Sequence, residues 1–431
     1  MNTFQTIVLG AFVVFLLAGV AAFALYRGGG ANALPTVVIW GTLPSRTMLD
    51  FSQDPGLQKA GIKFDYIEKS PAVFENDFVE ALASGNSPDL VIFPHDLLLK
   101  HQNKIAVIPF KTLGERQFKD SFVEGGEIFL TPQGVLGIPI LVDPLVMYFN
   151  RNMLSGKGIA SPPKYWDEFF TIAPKFNEKN NAGNLRKTIV ALGETSNVAN
   201  FKEIFSTLIL QAGSPITFTE VDGKLSSSLA RNSGFENIPV EAALRFYTEF
   251  SNPIKPIFSW NKSMLNSRDA FVAEELGTYF GLSSELNLLR ARNPNLNFDV
   301  ATIPQSRNGN ARVTYAKIYG MVIPKSSRNI SAAFTVASEI ASLESLQNLS
   351  ELSGLPPSKR ELLSIPPENP YQSVFYDSSI MTKVWRDPSP FETYVIFKDM
   401  VESVISGKAR LSEAVNRADK ELESLLKDLG Q

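Results

Sequence analysis

The sequence predicts an α/β protein of two lobes, held to a membrane by one N-terminal apolar helix. Three observations carry that expectation. The chain has 431 residues, too many for one ordinary core. Apolar runs of strand length alternate with stretches of helical spacing along its body. Residues 7–26 (IVLGAFVVFLLAGVAAFALY) contain no charged side chain.

That run comes first in the chain. About 20 residues at about 1.5 Å each span about 30 Å, the depth of one hydrocarbon layer, and no polar face interrupts them. Two readings stay open. The length of the run and the missing basic n-region favour an uncleaved anchor over residues 1–27. The alternative is a signal peptide cut after the Ala31-Asn32-Ala33 pattern. Arg27, the only nearby basic residue, tips the charge balance towards a body inside the cell.

Residues 28–35 (GGGANALP) are a flexible tether. The body then opens with a β-rich run at residues 36–40 (TVVIW), broken by Gly41, Thr42 and Pro44. A second strand is expected at residues 62–67. A helix follows, with Ser70 as N-cap, Pro71 at its first position, Phe74, Phe78 and Leu82 on one face, and Gly85 at its end. Residues 90–93 (LVIF) form a third strand, so the order implies parallel βαβ units. Residues 135–142 and 145–149 read as two extended segments separated by Asp143-Pro144, long enough together to cross from one lobe to another. A second βα lobe is expected from near Leu145, with residues 188–192 (TIVAL) as its buried strand and a polar loop after them. A short strand at residues 278–280 ends in Gly281-Leu282-Ser283-Ser284, and residues 297–304 and 319–324 look extended. The C-terminus is helical, with Phe391, Tyr394, Val395, Val401, Val404 and Ile405 on one face. Leu411, Ala414, Val415, Ala418, Leu422, Leu425 and Leu426 share another.

Composition narrows the chemistry. Forty-one Lys and Arg against 44 Asp and Glu give a formal charge of −3, which offers no electrostatic case for nucleic acid. With no Cys, thiol catalysis, disulfides and the usual lipid-attachment cysteine are excluded. The two His, His95 and His101, cannot make a histidine-rich metal site, and no metal or cofactor is expected. The sequence has no GxSxG elbow, no phosphate-binding GxxxxGK[ST] loop, no HExxH and no GxGxxG after a strand. His95-Asp96 are adjacent on a loop, where side chains rarely point at one another, so no catalytic residue is assigned.

Polar and aromatic residues instead gather at strand ends, where open α/β sheets bind ligands. Trp40, Gly41 and Thr42 end the first strand, Phe93 to Asp96 end the third, Asp143 sits at the crossing, and Thr195 follows the second-lobe strand. Each has a plainer reading: Trp40 as core, Asp143 as a turn former, Thr195 as part of a helix cap. Their shared edge is what favours a site.

These residues also carry a family likeness. The run Gly137-Ile-Pro139, Asp143, Leu145 and Tyr148-Phe149-Asn150-Arg151 resembles the crossover of the extracellular solute-binding proteins of bacterial ABC importers, the maltose-binding-like class (family 1). Blocks at residues 36–41, 87–96, 162–169, 191–213, 258–261, 293–305, 354–357 and 404–414 agree in order. The resemblance implies a periplasmic-binding-protein fold of type II, with a solute cleft between two lobes. It implies lobe I from residues 36–143 and 305–345, and lobe II from residues 144–304 and 346–431. Its cleft positions fall here on Trp40, Gly41, Thr42, Phe93, Asp96, Asp143, Thr195, Trp260, Ser283 and Tyr394, although Tyr394 also lies on an apolar stripe. A non-enzymatic carrier of a sugar or oligosaccharide follows, with a membrane permease and a separate ATPase as partners and the body outside the cell, against the hint from Arg27. Aromatic faces suit sugar CH surfaces and carboxylates accept sugar hydroxyls. Three departures stand out. The lipid-attachment cysteine is missing, Tyr165 precedes Trp166 where Thr is usual, and Ser283 stands where maltose binders carry an aromatic ring. The last also permits a different function, an anchored sensor or scaffold with a degenerate cleft that docks a partner protein.

Overall fold

The body begins with β1 (Val37–Gly41), in which Val37, Ile39 and Gly41 are buried and Val38 and Trp40 half-buried, the alternation of a strand covered on one face. α1 (Ser45–Phe51) leads to β2 (Phe64–Glu68), parallel to β1 with Val37 opposite Phe64. α2 (Phe74–Ser84) sets Phe74 and Phe78 into the core and is closed by Gly85 as expected, but its N-cap is Val73 and not Ser70. Residues 71–73 form a turn before the helix starts. β3 (Leu90–Pro94) is buried up to Pro94 and runs parallel to β1 on its other side, completing the predicted parallel units. The structure is a computed structural model and describes residues 35–232, 238–307, 309 and 311–429. The apolar run at residues 7–26, expected to be a transmembrane helix, lies outside them. Among the described residues no helix is long and apolar enough to cross a membrane.

The crossing differs from the expectation. β4 (Gly137–Asn150) is one unbroken strand through Asp143 and Pro144. A proline cannot donate to a ladder. Pro144 is tolerated because it sits where the strand exchanges partners. α3 (Phe201–Gln211) lies beyond it, buried on most of its circumference. From Leu145 onward β4 pairs antiparallel with β5 (Thr278–Leu282) and β6 (Phe298–Thr302); up to Pro144 it pairs with β7 (Ala316–Val322). β7 continues onto β3, giving one seven-stranded sheet in the order β5-β4-β7-β3-β1-β2, with β6 also on β4. The predicted strand at residues 188–192 does not form. Those residues are buried, yet they make a single bridge, Thr188 to Leu276. The Thr278 N–H and hydroxyl both donate to the Ile189 carbonyl, each at 2.7 Å, and the chain then turns away at Gly193. Gly193 has φ +94°, and a Cβ there would lie 2.7 Å from the Ser251 nitrogen.

α4 (Ile330–Ile340) and α5 (Leu343–Ser353) pack in a first core with β1, β3 and the first half of β4. Leu346, Leu349 and Leu355 belong to it, although a boundary at residue 345 gives them to the second lobe. The second core takes Leu145, Phe205 and Tyr315, then Phe375, Phe397 and Leu422 from the C-terminal helices. Among the described residues the chain therefore passes between the two cores three times, at residues 142–145, 315–318 and 363–371. A small third cluster unites Val142, Ala316 and Leu363, one residue from each crossing, with Val123. α6 (Pro390–Ile405) buries Thr393, Ile396, Phe397, Met400, Val401 and Ser403, while Phe391, expected on its apolar stripe, is 72% exposed. Thr393 turns inward because its hydroxyl donates to Asp387 Oδ1 at 2.9 Å. α7 (Leu411–Asp428) buries Ala414, Val415, Ala418, Leu422 and Leu426, as the sequence predicts.

One buried carboxylate ties the first core together. Asp54 accepts the Leu57 N–H at 3.0 Å, the Ser345 hydroxyl at 2.8 Å and the Asn348 amide at 2.7 Å, joining a short helix to α5. Burial pushes its carboxyl up, but these donors bring it below its ordinary value. Asp54→Ala is expected to cost roughly 2–4 kcal/mol in urea unfolding at pH 7. Because the folded pKa is depressed, that contribution is complete above the unfolded value of 3.8 and is lost as pH falls through the folded one. The gap between the two proteins should narrow as unfolding is repeated at pH values falling below 3.8; a gap that stays constant down to the acid limit of folding would refute the charged role.

Candidate functional site

The three crossings bring strand ends from both cores to one place. On the first-core side the chain leaves β3 into the turn His95–Leu97. His95 is 2% exposed, its Nδ1 accepts the Ile318 N–H at 3.1 Å, and Nε2 therefore carries the proton, 3.4 Å from the Tyr315 hydroxyl. Burial draws its pKa down to about 4, with Asp96 opposing and Lys317 and Lys202 adding to the fall. His95 is thus a neutral tie to β7. Asp96 beside it is half-buried. Burial pushes its carboxyl up, but Lys317, His95 and Lys202 pull it below the ordinary value.

Lys317, on β7 opposite Asp143 of β4, is the cation at the centre. Burial alone would lower its pKa; Asp96 and Glu203, with Tyr319 and Asp143, hold it well above the usual lysine value. Asp143 itself is 1% exposed and accepts the Ser283 hydroxyl at 2.8 Å and the Ser284 N–H at 2.9 Å. Burial raises its carboxyl, and these donors only partly offset that. Ser283 therefore joins the end of β5 to the crossing strand. At the start of α3, the Lys202 ammonium pairs with buried Asp387 and donates to the Pro390 carbonyl at 3.0 Å, which fixes the beginning of α6. Tyr394, one turn along α6, is half-buried with its ring edge-on to Phe201, 5.9 Å between centroids. Burial raises its hydroxyl, helped by Glu402 and Glu203. A polar stripe thus runs from Asp96 and Lys317 through Glu203 and Tyr394 to Glu402.

The remaining expected residues divide. Thr42 is half-buried just after β1. Trp40 is half-buried, with the Lys69 ammonium 4.0 Å above its ring. Gly41 is a packing glycine: an added Cβ would lie 2.9 Å from the Tyr66 hydroxyl oxygen. Phe93, expected in the cleft, is wholly buried among Phe74, Phe78 and His101, because as the fourth residue of β3 it faces the inner side of the first core. Thr195 and Trp260 are 1% and 0% exposed. The Thr195 hydroxyl donates to Glu402 Oε1 at 2.7 Å, and the Trp260 Nε1–H has no acceptor.

Lys317, Glu203, Lys202 and Asp387 were not picked out from the sequence. The strand carrying Lys317 was placed from residue 319, although it starts at Ala316, and a lone lysine before an apolar run reads as solvated. With a cationic donor, carboxylate acceptors, and hydroxyl and aromatic groups in one place, the stripe can hold a polar, hydroxylated molecule by directed hydrogen bonds.

The architecture is shared with solved structures. It superimposes with a TM-score of 0.72 on a cyclo/maltodextrin-binding protein complexed with maltotetraose, at 18% identity, covering 93% of this chain and 98% of that one. The maltose/maltodextrin-binding domain from Bdellovibrio bacteriovorus, bound to maltotriose, gives 0.66 at 15% identity, covering 91% and 100%. The maltotriose binding protein of Thermus thermophilus gives 0.65 at 15% identity, covering 90% and 99%. At these identities the likeness is one of fold: two α/β lobes of the periplasmic-binding-protein type. A provisionally named binding protein of Brucella abortus (strain 2308) is 24% identical over 261 residues, or 59% of this chain, and the chain spans 58% of that relative's length. Residues 49–344, well over half of the sequence, match the family described as bacterial extracellular solute-binding protein, and the chain belongs to that family.

Proposed function

We propose that this protein captures a sugar or oligosaccharide between its two lobes and hands it to a membrane permease driven by a separate ATPase. It is a carrier and not an enzyme, works on the extracytoplasmic face, and is held there by the apolar helix at residues 7–26. The lobes are residues 36–143 with 316–363, and residues 144–315 with 364–429. The observation that carries this reading is the group of Asp96, Lys317 and Glu203, drawn from both lobes and coupled through the Lys317 ammonium, where hinge closure would enclose a ligand. Asp143, Ser283, Trp40, Thr42 and Tyr394 border it. The maltotetraose and maltotriose held by proteins of the same fold support the ligand class.

A thermal-shift screen against sugars, oligosaccharides, polyamines and amino acids tests it. A ligand at about 100 times its Kd adds about 2.7 kcal/mol, a rise of several degrees in a protein of this size. The expected result is such a rise with a sugar and none with amino acids. No stabilisation by any solute would overturn the proposal.

A further inference from the structure

One end of the sheet in the first lobe gathers cations. β1, β2 and β3 run parallel and start there together, and antiparallel β7 ends beside β3. Adjacent strands lie about 4.8 Å apart, so these four ends span about 15 Å. The Val37 N–H donates to the Lys63 carbonyl at 3.4 Å, and the Asp89 N–H to the Val38 carbonyl at 3.0 Å. After β7, the Lys325 N–H donates to the Lys104 carbonyl at 2.9 Å, and the Ser327 N–H to the Pro324 carbonyl at 3.0 Å. Lys59 ends the short helix Pro55–Lys59, one turn of chain before Lys63. Lys59, Lys63, Lys325 and Arg328 are exposed; Lys104 is half-buried, its ammonium 3.0 Å from His101 Nδ1. Among the described residues none of these five side chains pairs with a carboxylate. The same segments hold two acids. Asp89 is 7% exposed and accepts the Val38 N–H, the Ser327 hydroxyl and the Asn329 amide at 3.1, 3.0 and 3.2 Å. Asp65, the second residue of β2, is exposed. Five cations therefore stand against one exposed acid.

We propose that this patch, Lys59, Lys63, Lys104, Lys325 and Arg328, docks on the anionic phospholipid headgroups of the bilayer that holds the N-terminal helix. This rests on the anchored reading of residues 7–26 and adds to it. The occupant follows from where the described chain begins. Pro35 precedes β1 at this same end of the sheet. Residues 28–34 join it to the apolar run, and seven residues reach at most about 25 Å, so this end of the body stays within that distance of the headgroup layer. Charge complementarity then selects the contact. Each Lys or Arg beside an anionic lipid surface favours it about fivefold, and five act together. Asp96 and Lys317 lie at the opposite ends of β3 and β7. A docked body therefore turns its cleft away from the bilayer, open to solute, and must lift off the lipid to present that cleft to a permease.

The test uses the full chain in vesicles of phosphatidylcholine, with or without phosphatidylglycerol. The chain has no cysteine, so Asn86→Cys, exposed at the patch, carries a single donor dye against acceptor-labelled lipid. Energy transfer should be higher in the anionic vesicles. It should fall to the neutral-vesicle value in about 1 M salt, where screening acts over about 3 Å. Lys59→Gln, Lys63→Gln, Lys325→Gln and Arg328→Gln, made together, should abolish the difference. Lys408→Gln, Arg410→Gln, Arg417→Gln and Lys420→Gln, at and before α7, should leave it. All eight side chains are exposed, so both combined variants should keep the parent's urea midpoint. The salt titration reads the same contact on the unaltered patch. A chain that floats with both kinds of vesicle yet shows equal transfer in each would overturn the patch and spare the anchor. A chain that floats with neither would overturn both. Flotation with the anionic vesicles alone would overturn the anchor and support the patch.

Discussion

Replacing Lys202 by Met is expected to remove about 3–5 kcal/mol of stability at pH 7, because it strands a buried carboxylate. Asp387 is 1% exposed; its Oδ1 accepts the Ser389 N–H at 3.0 Å and the Thr393 hydroxyl at 2.9 Å, and its Oδ2 is held by the Lys202 ammonium. Burial already pushes this carboxyl up, with Lys202 the main opposing influence and Asp96 adding to the rise. Without the ammonium it rises further. An acid whose folded pKa is raised contributes stability that is present below its unfolded value, 3.8, and lost as pH rises through the folded one. The deficit of the variant should therefore widen between pH 4 and pH 7 in urea unfolding. The double variant Lys202→Met with Asp387→Leu should recover much of the loss. A deficit below about 1 kcal/mol, flat with pH, would place the pair among solvated ion pairs.

The second large effect is expected at Glu285. Its carboxylate accepts four donors: the Tyr279 hydroxyl and Arg268 Nε at 2.6 Å, the Asn200 amide at 2.7 Å and the Leu282 N–H at 3.0 Å. Glu285→Ala takes an acceptor from all four beside a cation, leaving the Asn200 amide and Arg268 Nε only their longer bonds to the Tyr279 hydroxyl and the Phe280 carbonyl, and should cost about 3–5 kcal/mol. Glu285→Gln keeps the shape and one acceptor oxygen, and should cost about half as much. The residue after Leu282 is Ser283, whose hydroxyl reaches Asp143, so the same variants should also weaken the stabilisation given by a bound sugar. If both variants unfold at the wild-type urea midpoint, the network is not structural.

The parallel strands were legible because β1 and β3 are short apolar runs ended by turn residues, and burial leaves little choice of register. β4 was read as two pieces because proline normally ends pairing, and only the tertiary change of partner at residue 144 reconciles the two. The strand expected at residues 188–192 has the right composition but no neighbour to pair with beyond Leu276. Among the candidate residues, Asp96 and Ser283 could be picked out as polar residues after strand ends, and Asp143 as a polar break in an apolar run. Lys317, Glu203 and Asp387 could not, because each sits in a segment whose spacing looks ordinary, and only the crossings make them neighbours. Exposure was the weakest inference: Phe93 lies in the strand that leads to Asp96, but β3 is covered on both faces and Phe93 is wholly buried.

The three passages of the chain between the cores also govern the order in which the protein can come into being. A polypeptide is made and threaded from its N-terminus. The first core needs Ile318, Val336 and Leu349, and the second needs Phe397 and Leu422. Neither can close while the leading two thirds of the chain emerges, since its native contacts join residues far apart in sequence. Both cores are therefore completed only by residues from the last third of the chain.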